Sequence, residues 1–332
     1  MTNHSINRAI HKLANIVISI CNSSTSVNLG LLRGKLGAVI FLLHYARYYN
    51  IEKYESCAIE FLEYIQDNLI IRDNINVINH NLIDIGIGMN YMVNQELGSG
   101  DLDEILEDID NFLLSYLDNK NILFLTNLDL TDIGKYFLLR MDAAPSSINH
   151  LHHIKALESI VEVLKLHISH IPICNPFIVK FLYFSSKVLS DKSIELLLIQ
   201  QLNNCPNQKN WYRYGIPNWF STFFIPEDNE PLKNIIIKEI GKYSWKCLDN
   251  NWFDDTLGDG AAGLIVWMNL LTNDLSAEKC SVIKNAAIEK IVSNVNNYEV
   301  PKGVSLYFGC SGIGLALLSC IDNKCTQWIK LL

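Results

Sequence analysis

One pattern recurs along this 332-residue chain and leaves few folds open to it. Stretches with an apolar residue every three to four positions alternate with stretches that begin in glycines and then run apolar on all sides. Ile6, Ala9, Ile10, Leu13, Val17 and Ile20 form one apolar stripe. Ile105, Leu106, Ile109, Phe112, Leu113, Tyr116 and Leu117 form a second; Ile154, Leu157, Ile160, Val161 and Leu164 form a third; Val282, Ile283, Ala286, Ile291 and Val295 form a fourth. That period is the signature of amphipathic helices packed by one face. The glycine-led stretches carry Gly34 and Gly37, Gly86 and Gly88, Gly134, Gly260 and Gly263, and Gly309, Gly312 and Gly314. Tyr214-Gly215-Ile216-Pro217 is a weaker copy, and Asn175 to Phe184 reads as a copy without glycines. Aligned on Gly37, the copies fall at 37, 86, 132, 179, 218, 263 and 312, with intervals of 39 to 49 residues. Such a sustained period marks a repeat architecture.

Each period holds one polar-faced helix and one apolar helix. Strand signals are almost absent, so the expected class is all-α. Seven hairpins give fourteen helices, with the apolar ones as an inner ring and the amphipathic ones outside. The glycines are expected to start the inner helices and to turn backbone N–H groups toward the ring axis. No linker interrupts the period, which predicts one domain over residues 1–332.

Hydrophobic residues make up 49% of the chain and charged residues 19%, which excludes a disordered chain. The net charge is −8, and Lys and Arg never cluster, so neither nucleic acid nor an anionic membrane is an expected partner. The nine cysteines are irregularly spaced and no secretory leader is legible, which predicts reduced thiols in a cytoplasmic protein. The uncharged run Gly303–Ile321 contains four glycines and three serines, and reads as a buried helix rather than a membrane span.

The ordered set of glycine-led hairpins at this period resembles the lanthionine synthetase C-like (LanC-like) family, over nearly the whole chain. The resemblance implies a double-layered α/α toroid with its site at one mouth of the inner barrel. Enzymes of that family close thioether rings by adding a cysteine thiol to a dehydrated residue, with a zinc ion held by two cysteines and a histidine. Those ligand positions match Arg213, Gly258 and Asp259 here, while Gly215, Pro217, Gly260 and Gly263 remain in place. Lys209 stands where the family has an arginine, and Asn175 is the nearest match to a histidine with an acid–base role. The composition agrees: all nine histidines lie at or before position 170. The resemblance therefore implies a zinc-free homologue in ribosomal peptide maturation, with no cofactor. Its expected partner is a precursor peptide or a dehydratase-type enzyme.

The expected site residues are Lys209, Arg213, Tyr214, Asp254, Asp255 and Asp259. Arg213 is expected to pair with Asp259 in place of metal ligation, or to bind a carboxylate. Asp254, Asp255 and Asp259 crowd a glycine turn. They read either as carboxylates at the positive end of an inner helix, or as acid–base or cation-binding groups of an α/α-barrel enzyme acting on a glycan or an isoprenoid diphosphate. Three other features have a plain reading. His150 and His153 share a helix face and suit a metal, but fit a solvated first turn better. Cys310 reads as a small buried residue at a tight helix start rather than a reactive thiol. Trp211, Tyr212, Tyr214, Trp219, Phe220 and Trp252 read as core or as the wall of a peptide groove.

Overall fold

The computed structural model describes residues 2–23, 28–69, 80–118, 121–143, 149–169, 175–204, 212–213, 216–217, 222–249, 254–258, 260–297 and 303–332. Among the described residues the protein is all-α, apart from one two-residue antiparallel pairing of Tyr212–Arg213 (β1) with Ile216–Pro217 (β2). The chain divides into two compact units: residues 1–69 with 212–332, and residues 70–211.

The first unit is built from both ends of the chain. Its inner helices are α2 (Lys35–Tyr49), α12 (Ala261–Leu270) and α14 (Cys310–Ile321). In α2 every residue from Lys35 to Ala46 is buried, and in α14 every residue from Cys310 to Ser319. Around them lie α1 (Asn3–Ser23), α3 (Glu52–Asn68), α11 (Glu230–Asp249) and α13 (Ala277–Asn296). Helix α14 packs between α2 and α12, with α1 across the back of α13 and α14. The uncharged run ending at Ile321 is thus a buried helix preceded by a turn. No helix among the described residues is long and apolar enough to cross a membrane.

The second unit holds inner helices α4 (His80–Asn94), α7 (Asn127–Ala143) and α9 (Pro176–Leu189), with α4 on α7 and α7 on α9. Outside them are the short α5 (Leu102–Ile105), α6 (Glu107–Asp118), α8 (His150–Ser169) and α10 (Lys192–Asn204). The second apolar stripe is interrupted at Leu106, between α5 and α6. In α13 the buried face is Cys280, Ile283, Ala287, Ile288, Ile291, Val292 and Val295, so the predicted stripe member Val282 faces solvent instead.

Three expectations about the glycines need correction. First, only α2, α12 and α14 start at their glycines: Gly34, Gly260 and Gly309 are their N-caps. Gly86 and Gly134 lie inside helices that begin at His80 and Asn127, and they serve helix contact instead. A Cβ at Gly86 would lie 2.4 Å from the Tyr136 ring, one at Gly134 2.2 Å from Phe181, and one at Gly314 2.3 Å from Phe41. Each glycine admits the aromatic ring of the neighbouring inner helix.

Second, these contacts shift the alignment. Gly314 lies two residues past Gly312, and Phe41 four past Gly37. The same offsets place the copies of α4 and α9 at Asp84 and Phe177, each two residues earlier than the predicted 86 and 179. An independent pair agrees. Asn269 Nδ2 donates to Ser319 Oγ at 3.1 Å, and Asn90 Nδ2 to the Leu139 carbonyl at 3.1 Å. In the shifted alignment the two asparagines are equivalent, as are their two partners.

Third, the weak copy forms no complete inner helix. Residues 214–215 and 218–221 lie outside the described residues, but residues 222–229 are turn and irregular chain, and α11 begins only at Glu230. Pro226 disfavours helix in the residue before it. Phe223, from this non-helical segment, covers Trp267 of α12 with ring centroids 5.7 Å apart.

Candidate functional site

The three glycine-capped helices of the first unit are each entered by the same ten-residue loop: residues 28–37, 254–263 and 303–312. In each loop the fourth residue is a buried leucine (Leu31, Leu257, Leu306), the seventh is the capping glycine, and the tenth is the next glycine. The loop folds back so that its opening carbonyls cap the helix seven residues on. Lys35 and Leu36 N–H donate to Asn28 and Leu29, at 2.8 and 3.2 Å. Ala261, Ala262 and Gly263 donate to Asp254, Asp255 and Thr256, at 2.9, 3.3 and 3.4 Å, and Cys310 donates to Gly303 at 2.8 Å. These N–H groups are the ones a helix leaves unsatisfied. They are therefore spent on the loop's own carbonyls rather than turned toward an axis, as the sequence reading expected.

The capping glycine is obligatory at this point. A Cβ at Gly34 would lie 2.1 Å from the Asn28 carbonyl oxygen, one at Gly260 2.5 Å from that of Asp254, and one at Gly309 2.2 Å from that of Gly303.

The loops also bond to one another. At their fifth positions, Gly258 N–H donates to the Tyr307 carbonyl at 2.8 Å, and Tyr307 N–H donates to the Leu32 carbonyl at 3.1 Å. The fourth-position leucines follow the same order. Leu257 lies 3.1 Å from where a Cβ of Gly312 would be, and Leu306 lies 2.8 Å from that of Gly37. The last loop of the chain thus joins the first as the second-to-last joins the last. Together they form one hydrogen-bonded rim at the N-terminal ends of α12, α14 and α2.

Two of the expected acidic residues sit in this rim, each with a defined partner. Asp254 Oδ1 accepts from the N–H and hydroxyl of Thr256, at 2.7 and 2.6 Å. Asn28 does the same in the first loop, accepting from Gly30 N–H at 2.7 Å. Such turns are the usual work of Asp and Asn. Asp255 is buried, and its two oxygens lie 2.9 and 3.1 Å from Asn294 Nδ2 of α13. The helix is capped by the carbonyls of residues 254–256, where the sequence reading looked to carboxylate side chains. Asp259, Lys209, Tyr214, Trp211, Trp219, Phe220 and Trp252 lie outside the described residues, as do the side chains of Tyr212 and Arg213. At the sixth loop position, beside the rim, stand Arg33 and Phe308 in the two loops described there. Arg33 is exposed and Phe308 half exposed.

The donor chemistry at the matched ligand positions does not suit zinc. Arginine keeps its proton and does not ligate, and Gly258 offers no side chain. Among the described residues, no group of three His, Cys, Asp or Glu is placed to hold a metal. Cys310 is fully buried at the first turn of α14, as the plain reading expects. Asn175 is the N-cap of α9, with its side chain accepting from Phe177 N–H at 2.9 Å.

A second polar cluster, in the other unit, was not singled out from sequence. Asp110 of α6 is buried and accepts from Tyr136 OH at 2.5 Å and from Arg140 Nη2 at 2.8 Å. Arg140, fully buried, also donates to Asp103 at 2.7 Å. His153 Nε2 approaches Asp110 at 3.4 Å. Burial raises the Asp110 carboxyl, but His153, Arg140 and Tyr136 outweigh it and hold it below the ordinary value. In the first turn of α8, Leu151 and His152 are exposed as expected, but His153 is buried. His153 lies on the same face as Leu157, Ile160 and Leu164, and that face is buried. The cluster fixes α6, α7 and α8 together. Its signal in sequence was weak, because its members lie up to 50 positions apart.

No family model matches the chain, and no curated protein matches it.

Proposed function

We propose that the chain is a LanC-like α/α toroid without a zinc site, and that it binds a modified precursor peptide, or the enzyme that carries one, at the rim of its glycine-capped loops. The observation that supports this reading is the loop relay. Residues 254–263, 303–312 and 28–37 repeat one capping geometry and pass it from the end of the chain to its beginning, as a closed ring requires. The family's catalytic positions match Gly258 and Asp259, the fifth and sixth residues of one of these loops, and Arg213 of the short hairpin. Arginine at one position, and a position with no side chain at another, remove metal ligation but leave the mouth open to a peptide. The single domain, the complete toroid and the place of Lys209, Tyr214 and Asp259 at its mouth belong to this proposal.

The alternative, an acid-dependent barrel enzyme, draws less support. Asp254 is engaged by Thr256, and Asp255 is buried against Asn294.

The test uses the purified full chain and a fluorescent peptide carrying one dehydroalanine and one cysteine. Saturable binding, with no thioether formed and no zinc in the protein, is expected. One zinc per chain, or ring closure that a chelator stops, contradicts the zinc-free reading. The absence of binding to dehydrated and undehydrated peptide alike contradicts the peptide-binding reading.

A further inference from the structure

The two chain ends meet at a second place, through side chains. The last segment, Asn323–Leu331, is a 3-10 helix kinked at Cys325 and packed on α14. Cys325 is buried there, and its Sγ lies 4.0 Å from Nδ1 of His44, a buried residue of α2. The Cys325 thiol donates to Asp322 Oδ2 at 3.5 Å, and Asp322 is half-buried.

At 4.0 Å, Sγ and Nδ1 make at most a weak hydrogen bond, but the gap has the size of one metal ion. With metal–sulfur and metal–nitrogen bonds of about 2.3 and 2.0 Å, the two ligand atoms stand about 4.3 Å apart across a linear centre and about 3.5 Å apart at a tetrahedral one. The observed separation lies between these limits, so an ion fits at a wide angle with little movement of either segment. Zinc takes four ligands in such protein sites, and among the described residues no group of three His, Cys, Asp or Glu is placed to hold a metal. Two ligands, one of them a thiolate, suit the soft monovalent ion copper(I) instead. The charge balance agrees. Burial first, then Asp322, pushes the Cys325 thiol up to about 12. Burial first, then Arg47, lowers His44 to about 4. Both groups are therefore uncharged at neutral pH. Exchange of the thiol proton for a monovalent cation leaves the buried pair uncharged, whereas a divalent ion would leave it with a positive charge.

We infer that Cys325 and His44 form a two-coordinate site for copper(I), which ties the last segment of the chain to its first inner helix. The Cys325 S–H bond breaks as the Cu–S and Cu–N bonds form. The proton leaves by way of Asp322, the carboxylate to which the thiol donates, and nothing is oxidised or reduced. His44 stands nine residues beyond the first residue of α2, away from the loops that cap its N-terminal end. The site does not rest on the peptide-binding reading of the rim.

The test uses the full chain, reduced and free of oxygen, loaded with copper(I) and competed with bathocuproine disulfonate, a coloured copper(I) chelator. The competition strips the copper that other cysteines hold weakly. The wild type is expected to keep one copper per chain, with one sulfur and one nitrogen neighbour by X-ray absorption. Cys325→Ser and His44→Leu should each weaken binding more than about 100-fold, beyond the roughly 10–100-fold that loss of an outer partner costs. Cys320→Ser, five residues earlier, should keep the copper. Serine differs from cysteine by one atom, so Cys325→Ser decides the matter even if His44→Leu does not fold. A wild type that keeps no copper, two sulfur neighbours at the metal, unchanged affinity in Cys325→Ser, or loss of copper in Cys320→Ser each overturns the proposal.

Discussion

At Gly34, Gly260 and Gly309 the chain has no room for a single extra carbon. The φ values there, −141°, −136° and −125°, are ones any residue adopts, so the requirement is space and not backbone conformation. Gly309→Ala drives a methyl into the Gly303 carbonyl and should cost about 1–3 kcal/mol, as overpacking does. Gly303→Ala, with nothing within 4 Å of the new carbon, should stay within about 0.5 kcal/mol. Denaturant unfolding of the two variants makes the comparison. His44 of α2 supplies a second residue-level test. Burial, then Arg47, lowers its pKa to about 4, against a slight rise from Asp322. Its folded pKa lies below the unfolded value near 6.5, so the unfolded chain takes up the proton first as pH falls. The stability due to neutral His44 is complete above about pH 6.5 and is lost between there and pH 4, on the order of 3 kcal/mol. His80, raised mainly by its hydrogen bond to Asp132, works the other way and loses its contribution as pH rises. Melting curves across pH 4–7 should show the acid-side slope in the wild type and a flatter profile in His44→Leu.

At the scale of helices, the period was legible and its phase was not. Glycines mark both kinds of position, the cap at Gly309 and the ring-accepting notch at Gly314, and a sequence does not label which is which. The Asp-Ile-Gly of residues 84–86 and of 132–134 held the answer, since equal triplets belong at equal positions. Aligning Gly86 with Gly37 broke that match. The entry loops were readable in part. Leu31, Leu257 and Leu306 each stand three residues before a capping glycine, which spells Leu-x-x-Gly-x-x-Gly three times. The Asp254–Asp259 segment belongs to that pattern, and its first carboxylate pins a turn. Long-range partners such as Asp110 with Arg140 left no local mark. The corrected phase makes a pairing prediction. Gly134→Ala should be destabilising, Phe181→Leu should recover most of the loss, and Tyr136→Leu should not. Conversely, Tyr136→Leu should relieve Gly86→Ala. A double-mutant cycle on each pair, read by denaturant midpoint, distinguishes the partners.

For the whole molecule, the decisive feature is that both chain ends build one unit. Tyr307 to Leu32 repeats the bond from Gly258 to Tyr307, and Leu306 against Gly37 repeats Leu257 against Gly312. This contact between the last loop and the first is the one that the proposed ring calls for, and the proposal would put its site at Arg213, Gly258 and Asp259. Gly258 is not held at a positive φ, and a Cβ there would meet the Phe308 ring at 3.0 Å and Tyr307 at 3.2 Å. Phe308 is half exposed and free to give way. A cysteine therefore fits. The most direct measurement of the account is zinc affinity, by competition with a coloured chelator, in the variant combining Arg213→Cys, Gly258→Cys and Asp259→His. If the chain is a zinc-free LanC-like toroid, the wild type binds no zinc and the variant binds one ion per chain with a dissociation constant below about 1 μM, as befits a Cys2His site. A variant that folds but binds zinc no better than the wild type would contradict it, because the three positions would then not converge on one site.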